Sequence, residues 1–197
     1  MKLQVIDTGP LKGRPNKWYK GRSRTVTGIC VHHTAVSGGF GPSRSVYRRA
    51  CKRGGTHRDA LILATAARYR RTPYHVIYNP TLGVLFQNLP YELWAKHGNG
   101  SNRHTIGFAW DENSLTVGDE YDVSMAQQAL RGTIRDAMSH GHLVASVTCH
   151  SAWTRKPHDP GPSFFNMVVE PVALELMIDM DYGFSVNGGT PLGAYDR

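Results

Sequence analysis

Thr25-Val26-Thr27-Gly28-Ile29-Cys30-Val31-His32-His33 is a β-branched, apolar run that ends on two imidazoles. Seven residues of this composition read as a buried strand over 25–31, and the polar pair that follows marks its exit. Adjacent residues of a strand point to opposite faces, so only one of His32 and His33 can serve a given site. A buried strand with short flanking elements belongs to a layered fold, and the rest of the chain decides which.

Working outward, residues 1–24 are rich in Gly, Pro and Lys/Arg and read as an N-terminal arm. Beyond the first strand, the glycines and proline of 36–42 predict a loop. Ser43 is placed to cap a helix over 44–53, and a second helix over 57–69 ends at Arg70-Arg71-Thr72-Pro73. Tyr74–Tyr78 reads as a strand, 79–83 as a turn and 84–87 as its hairpin partner. A polar Gly/Asn loop over 96–104 leads into a strand at 105–110. Ser124 is expected to cap a helix that runs to about 140, and a further strand over 144–149 leads to His150. Residues 164–180 are apolar at helical spacing with Pro171 as an interruption, and 183–197 is a Gly-rich tail. Strands alternating with helices predict an α/β fold, a mixed central sheet flanked by helices. One catalytic domain over 25–166 is expected, with 167–197 a C-terminal helix and tail.

A second segment carries the chemistry: Cys149-His150-Ser151-Ala152-Trp153-Thr154-Arg155-Lys156-Pro157-His158-Asp159-Pro160-Gly161-Pro162. His32 and His150, each at a strand end, together with Asp159 can hold zinc in three positions and leave a fourth for water. Such a centre makes hydroxide available near neutral pH and polarises a carbonyl, which is hydrolysis without a covalent intermediate. Lys156 can project into the same site as a transition-state donor, and Tyr74 can offer a phenol hydrogen bond. The ligand position is shared in principle between His158 and Asp159. Asp159 is favoured because the Pro160-Gly161 turn fixes its direction. His57 and His75 read as surface or packing residues.

The bulk numbers bound the partners. The 197 residues carry a formal net charge of +8 with 23 Lys/Arg and 15 Asp/Glu, so the surface favours polyanions. There is no helix-turn-helix or RNA-recognition pattern to assign it to nucleic acid. Three cysteines do not make a disulfide framework, and Cys30 and Cys149 read as small buried residues beside the site. The first residues lack the apolar core of a secretory signal, and no run approaches a membrane span. The expectation is a chain made in the cytoplasm.

At these residues the chain resembles the zinc-dependent N-acetylmuramoyl-L-alanine amidases, the group of phage endolysins and peptidoglycan-recognition proteins. The resemblance spans residues 25–166 and its pieces occur in family order: Ile29–Ala35, Pro73–Ile77, Trp94–His97 with Asn102 and Thr105–Phe108, and His150–Pro162. It implies zinc on His32, His150 and Asp159, catalytic roles for Tyr74 and Lys156, and His97 in the substrate groove. It also implies cleavage between N-acetylmuramic acid and L-alanine of the peptidoglycan stem, and a phage or prophage endolysin that reaches the wall after release. The strand that carries a glutamate in some members reads Phe108-Ala109-Trp110-Asp111 here, which suits the tyrosine/lysine variant. A muropeptide-binding module without activity and a cytoplasmic wall-recycling amidase are the alternatives. Anionic wall polymers are possible partners of the basic surface.

Overall fold

The structure is a computed structural model that describes residues 4–8, 25–34, 41–97, 99–111, 120–152 and 159–181. Seven strands form one mixed sheet: β1 (Gln4–Asp7), β2 (Gly28–His33), β3 (Val76–Asn79), β4 (Val84–Gln87), β5 (Thr105–Trp110), β6 (Ser146–Cys149) and β7 (Asp179–Asp181), in spatial order β1-β4-β3-β5-β2-β6-β7. Only the β3–β4 hairpin is antiparallel; every other neighbouring pair is parallel. β2 lies between β5 and β6, and all six of its residues are buried. A central parallel strand is covered on both faces, which is why it reads as an unbroken apolar run.

The helices are α1 (Arg44–Lys52), α2 (His57–Tyr69), α3 (Glu120–Ser139), α4 (Pro162–Phe164) and α5 (Glu170–Leu176), with α4 and α5 joined through a π-helical stretch at Phe165–Val169. Thr56 caps α2, its hydroxyl accepting the Asp59 N–H at 3.1 Å. The two sides of the sheet carry different cores. On one, Ile29, Val31, Ile106, Phe108, Trp110 and Val147 pack with Ala126, Leu130 and Ile134 of α3 and with Phe164, Phe165, Val168 and Val172. On the other, Ile77, Val84, Phe86 and Ala109 pack with Ile62, Ala66 and Tyr69 of α2. Period-2 alternation therefore puts Cys30 and His32 of β2, and Gly107 of β5, on the α2 side.

Several boundaries differ from the sequence reading. The arm contributes an edge strand, β1, whose residues 4–7 pair with β4; 9–24 lie outside the described residues. α3 begins at Glu120, so Ser124 is inside the helix rather than its cap. Pro171 falls, as expected, near the start of the C-terminal helical segment, in the first turn of α5 where the π-helical stretch gives way to α-helix. Proline cannot donate to the carbonyl four residues earlier, which is that of Met167, and there the Gln127 side chain donates instead at 2.7 Å. The chain then adds β7 beside β6, with Ser146 opposite Asp179. The tail, 182–197, lies outside the described residues. Among the described residues no helix is long and apolar enough to cross a membrane.

Candidate metal centre

The register of the sheet brings the two proposed histidine ligands together. Val31 of β2 stands opposite Cys149 of β6 in a parallel pair, so the next residue of each strand, His32 and His150, lie side by side. Their ring centroids are 4.6 Å apart. Asp159 closes the group from the loop beyond β6. Its main-chain carbonyl accepts the Ser151 N–H at 2.9 Å, and its Oδ1 accepts the His33 N–H at 2.9 Å. Its Oδ2 lies 2.5 Å from His150 Nδ1. His33 thus helps through its backbone while its ring points away, as alternation requires.

All three residues are at least nine-tenths buried, and each offers a ligand atom within 4.8 Å of the others. His32 Nδ1 is the atom that decides what the cluster can do. It is completely buried, has no hydrogen-bond partner, and stands 3.8 Å from Asp159 Oδ1, too far for a hydrogen bond. An orphaned buried nitrogen is costly unless something else satisfies it. A cation between His32, His150 and Asp159 would do so, and two imidazoles with one carboxylate are a donor set suited to zinc.

The electrostatics agree. Burial, helped by the neighbouring His150 and His33, pushes the His32 pKa down to about 4 against the opposing pull of Asp159, so the ring is a neutral donor at pH 7. Burial works to raise Asp159, but the hydrogen bond with His150, and then the electrostatic pull of the two adjacent imidazoles, outweigh it. The carboxyl is held well below its ordinary range and is ionised. Tyr74 stands against His32, with ring centroids 5.0 Å apart. Burial, then the charge of Asp159, pushes its phenol far above the usual value, so it remains a proton donor.

The placement of the remaining candidates is mixed. Lys156 and His158 lie outside the described residues. His97 is 5% exposed and both ring nitrogens are engaged, one with His32 at 3.2 Å and one with the Thr105 carbonyl at 2.8 Å. Its ring meets that of His32 edge-on, with centroids 5.4 Å apart. His75 is a buried packing residue and His57 is exposed, both as expected. Two features were not anticipated. Cys30, His32 and His97 form a second group whose ligand atoms lie within 4.8 Å. Asp111 is buried and accepts from the Tyr69 hydroxyl, with Asn79 donating to both. The Gly in Thr105-Ile106-Gly107-Phe108 was a usable signal for the first, because glycine inside a strand marks a close approach. A cleft of about 880 Å³ lies elsewhere, between Asp7, Gln87 and Tyr91 on one wall and Arg131 and Asp136 of α3 on the other.

With this geometry in place, the fold can be compared. The chain superposes on N-acetylmuramoyl-L-alanine amidase LysC from Clostridium intestinale with a TM-score of 0.54 at 15% identity, over 89% of this chain and 98% of that one. The chain has the fold of the N-acetylmuramoyl-L-alanine amidases. A mutant endolysin from Bacillus subtilis shares this amidase fold with a TM-score of 0.53 at 20% identity, covering 88% of this chain and 98% of the other. So does wild-type Drosophila PGRP-LB, at 0.55 and 10% identity over 83% and 92%. No family model and no curated protein matches the chain.

Proposed function

We propose that this protein is a zinc-dependent N-acetylmuramoyl-L-alanine amidase that cleaves the amide between N-acetylmuramic acid and L-alanine of the peptidoglycan stem. The observation that carries the reading is the orphaned His32 Nδ1 facing His150 and an ionised Asp159 on an amidase fold. Zinc held by these three residues would supply a Lewis acid and a nucleophile at neutral pH. The chain's own residues do the rest. His32 and Asp159 are already in the protonation states that ligation needs. One oxygen of Asp159 is held by the His33 N–H, which fixes the side of the carboxylate that faces β2. Tyr74, protonated and against His32, donates to the oxygen on which negative charge develops. Lys156, three residues before Asp159, is assigned the companion role of neutralising that charge.

We assign the enzyme to lysis, as a phage or prophage endolysin acting on the wall after release, and as a monomer. The basic surface supports an affinity for anionic wall polymers. The α1–α2 hairpin, residues 43–72, carries nine Lys/Arg and one acidic residue, Asp59, a balance equal to the +8 of the whole chain. α1 buries none of its residues, so Arg48, Arg49 and Lys52 stand at the surface.

The test is digestion of purified peptidoglycan by zinc-loaded protein beside a chelated control, read by mass spectrometry. Stem peptides that begin with L-alanine, released only with metal, are the expected products. Cleavage within the stem would replace the amidase by a peptidase, and intact wall in both arms would leave a muropeptide-binding module.

A further inference from the structure

His32 belongs to two buried clusters at once, one with His150 and Asp159 and one with Cys30 and His97. A neutral imidazole has a single lone pair, so it can serve only one of them. We propose that His97 is a positioning residue that decides which: it fixes the His32 tautomer with its lone pair toward His150 and Asp159. The inference rests on the metal-site reading above.

The protons can be placed by elimination. His97 Nε2 is 2.8 Å from the Thr105 carbonyl, which only accepts, so Nε2 carries the hydrogen. In the neutral ring, Nδ1 is then an acceptor. It lies 3.2 Å from His32 Nε2, which must donate to it. The proton of His32 is thereby on Nε2, and the lone pair is on Nδ1, the atom without a partner that faces Asp159. The same proton fills the space that a cation among Cys30, His32 and His97 would need.

His97 is itself held in place. Its ring meets that of His75 edge-on, with centroids 5.3 Å apart. His75 is locked in turn, Nδ1 accepting the Gly107 N–H at 3.0 Å and Nε2 donating to the Leu93 carbonyl at 2.7 Å. A Cβ at position 107 would come within 2.6 Å of His97 Cγ, so this ring position exists only because β5 carries glycine there. Orientation of a metal-binding imidazole through its second nitrogen is worth about 10–100-fold in affinity.

The experiment is a zinc competition titration with a chromophoric chelator on the full chain and three variants, with circular dichroism and Tm as folding checks. His97→Asn keeps an acceptor at the position of Nδ1, because both atoms are bonded to Cγ. His97→Leu has similar bulk and no acceptor. Gly107→Ala displaces the ring. Zinc affinity should fall about 10–100-fold in His97→Leu and in Gly107→Ala and stay close to wild type in His97→Asn. Should the leucine variant fail to fold, His97→Gln, with its acceptor one bond further out, replaces it in the comparison. The cobalt-substituted wild type should show no thiolate-to-metal charge-transfer band. Equal zinc affinity in folded leucine and asparagine variants overturns the role of His97 alone, whereas a thiolate band in the wild type puts the metal on Cys30 and overturns the His32, His150 and Asp159 site together with that role. A wild type that binds no zinc overturns the metal site and this inference with it.

Discussion

Asp159 joins the two halves of the site. One carboxylate oxygen accepts the His33 N–H of β2, the other meets His150 beyond β6, and its main-chain carbonyl holds Ser151. Replacing it with alanine removes the proposed third ligand and strands a buried N–H. Asp159→Ala should therefore weaken zinc by more than about 100-fold, beyond the range of an indirect partner, while His158→Ala leaves zinc binding near wild type. Equilibrium dialysis against zinc decides, and loss in the His158 variant alone would reverse the assignment. Tyr74 has a different signature. Tyr74→Phe should keep zinc affinity and lower kcat by about 100-fold, as removal of one transition-state donor does. An unchanged kcat would move the phenol out of the chemistry. His32 and His150 were legible because strand ends deliver side chains to such sites, and Asp159 because a Pro-Gly turn follows it. The place of His97 was not legible, because no sequence pattern says on which side of another ring an imidazole will stand.

At the scale of elements, β4, β5 and the span of α2 followed from composition and the flanking turn signals, while the strand expected over 25–31 runs over Gly28–His33 and takes both histidines into the sheet. The misses have local causes. β1 is four residues with no buried side chain, held by main-chain pairing to β4, so it leaves no apolar signature. α3 starts one turn before Ser124, with no side-chain signal strong enough to displace that serine as the apparent cap. The interruption read at Pro171 is there, as the passage from the π-helical stretch into α5, and Gln127 supplies the donor that the proline lacks. The end of α5 gives a stability prediction. Met177 caps it with φ of 52° and is 92% exposed, so it holds a left-handed backbone with no packing in return. Met177→Gly should stabilise the fold by about 1 kcal/mol, read as a rise in Tm; a fall would mean that its side chain has a role. α1 gives the opposite kind of test. Arg44, Arg48 and Lys52 follow at i,i+4 spacing, and like charges so placed repel. Arg48→Glu converts both repulsions to attractions and should raise Tm slightly. The same change should weaken binding to an anionic wall polymer and flatten its salt dependence. If binding is unaffected, the hairpin is not the contact surface.

For the molecule as a whole, the buried cluster of His32, His150 and Asp159 couples stability to pH. The His32 ring is buried neutral with its pKa lowered from 6.5 to about 4. Between those values the unfolded chain binds a proton that the folded chain does not, so stability rises with pH across the window and falls as pH drops through it. Its contribution is complete above pH 6.5. The fully acid-exposed loss is roughly 3 kcal/mol for a shift of this size, at about 1.4 kcal/mol per unit. Asp159 adds a second loss of the same sign lower down, since its carboxyl is also held below the ordinary value of 3.8 and must be protonated there. Metal-stripped protein should therefore lose Tm progressively from about pH 6.5 toward pH 4, and His32→Gln should remove the upper part of that slope. Zinc ought to deepen the wild-type dependence, because the protons that destabilise the apo fold compete for the same nitrogen and carboxylate. A wild-type Tm that is flat between pH 7 and pH 4 would show that the His32 ring takes up its proton equally in the folded and unfolded chain, and the buried neutral imidazole would be wrong.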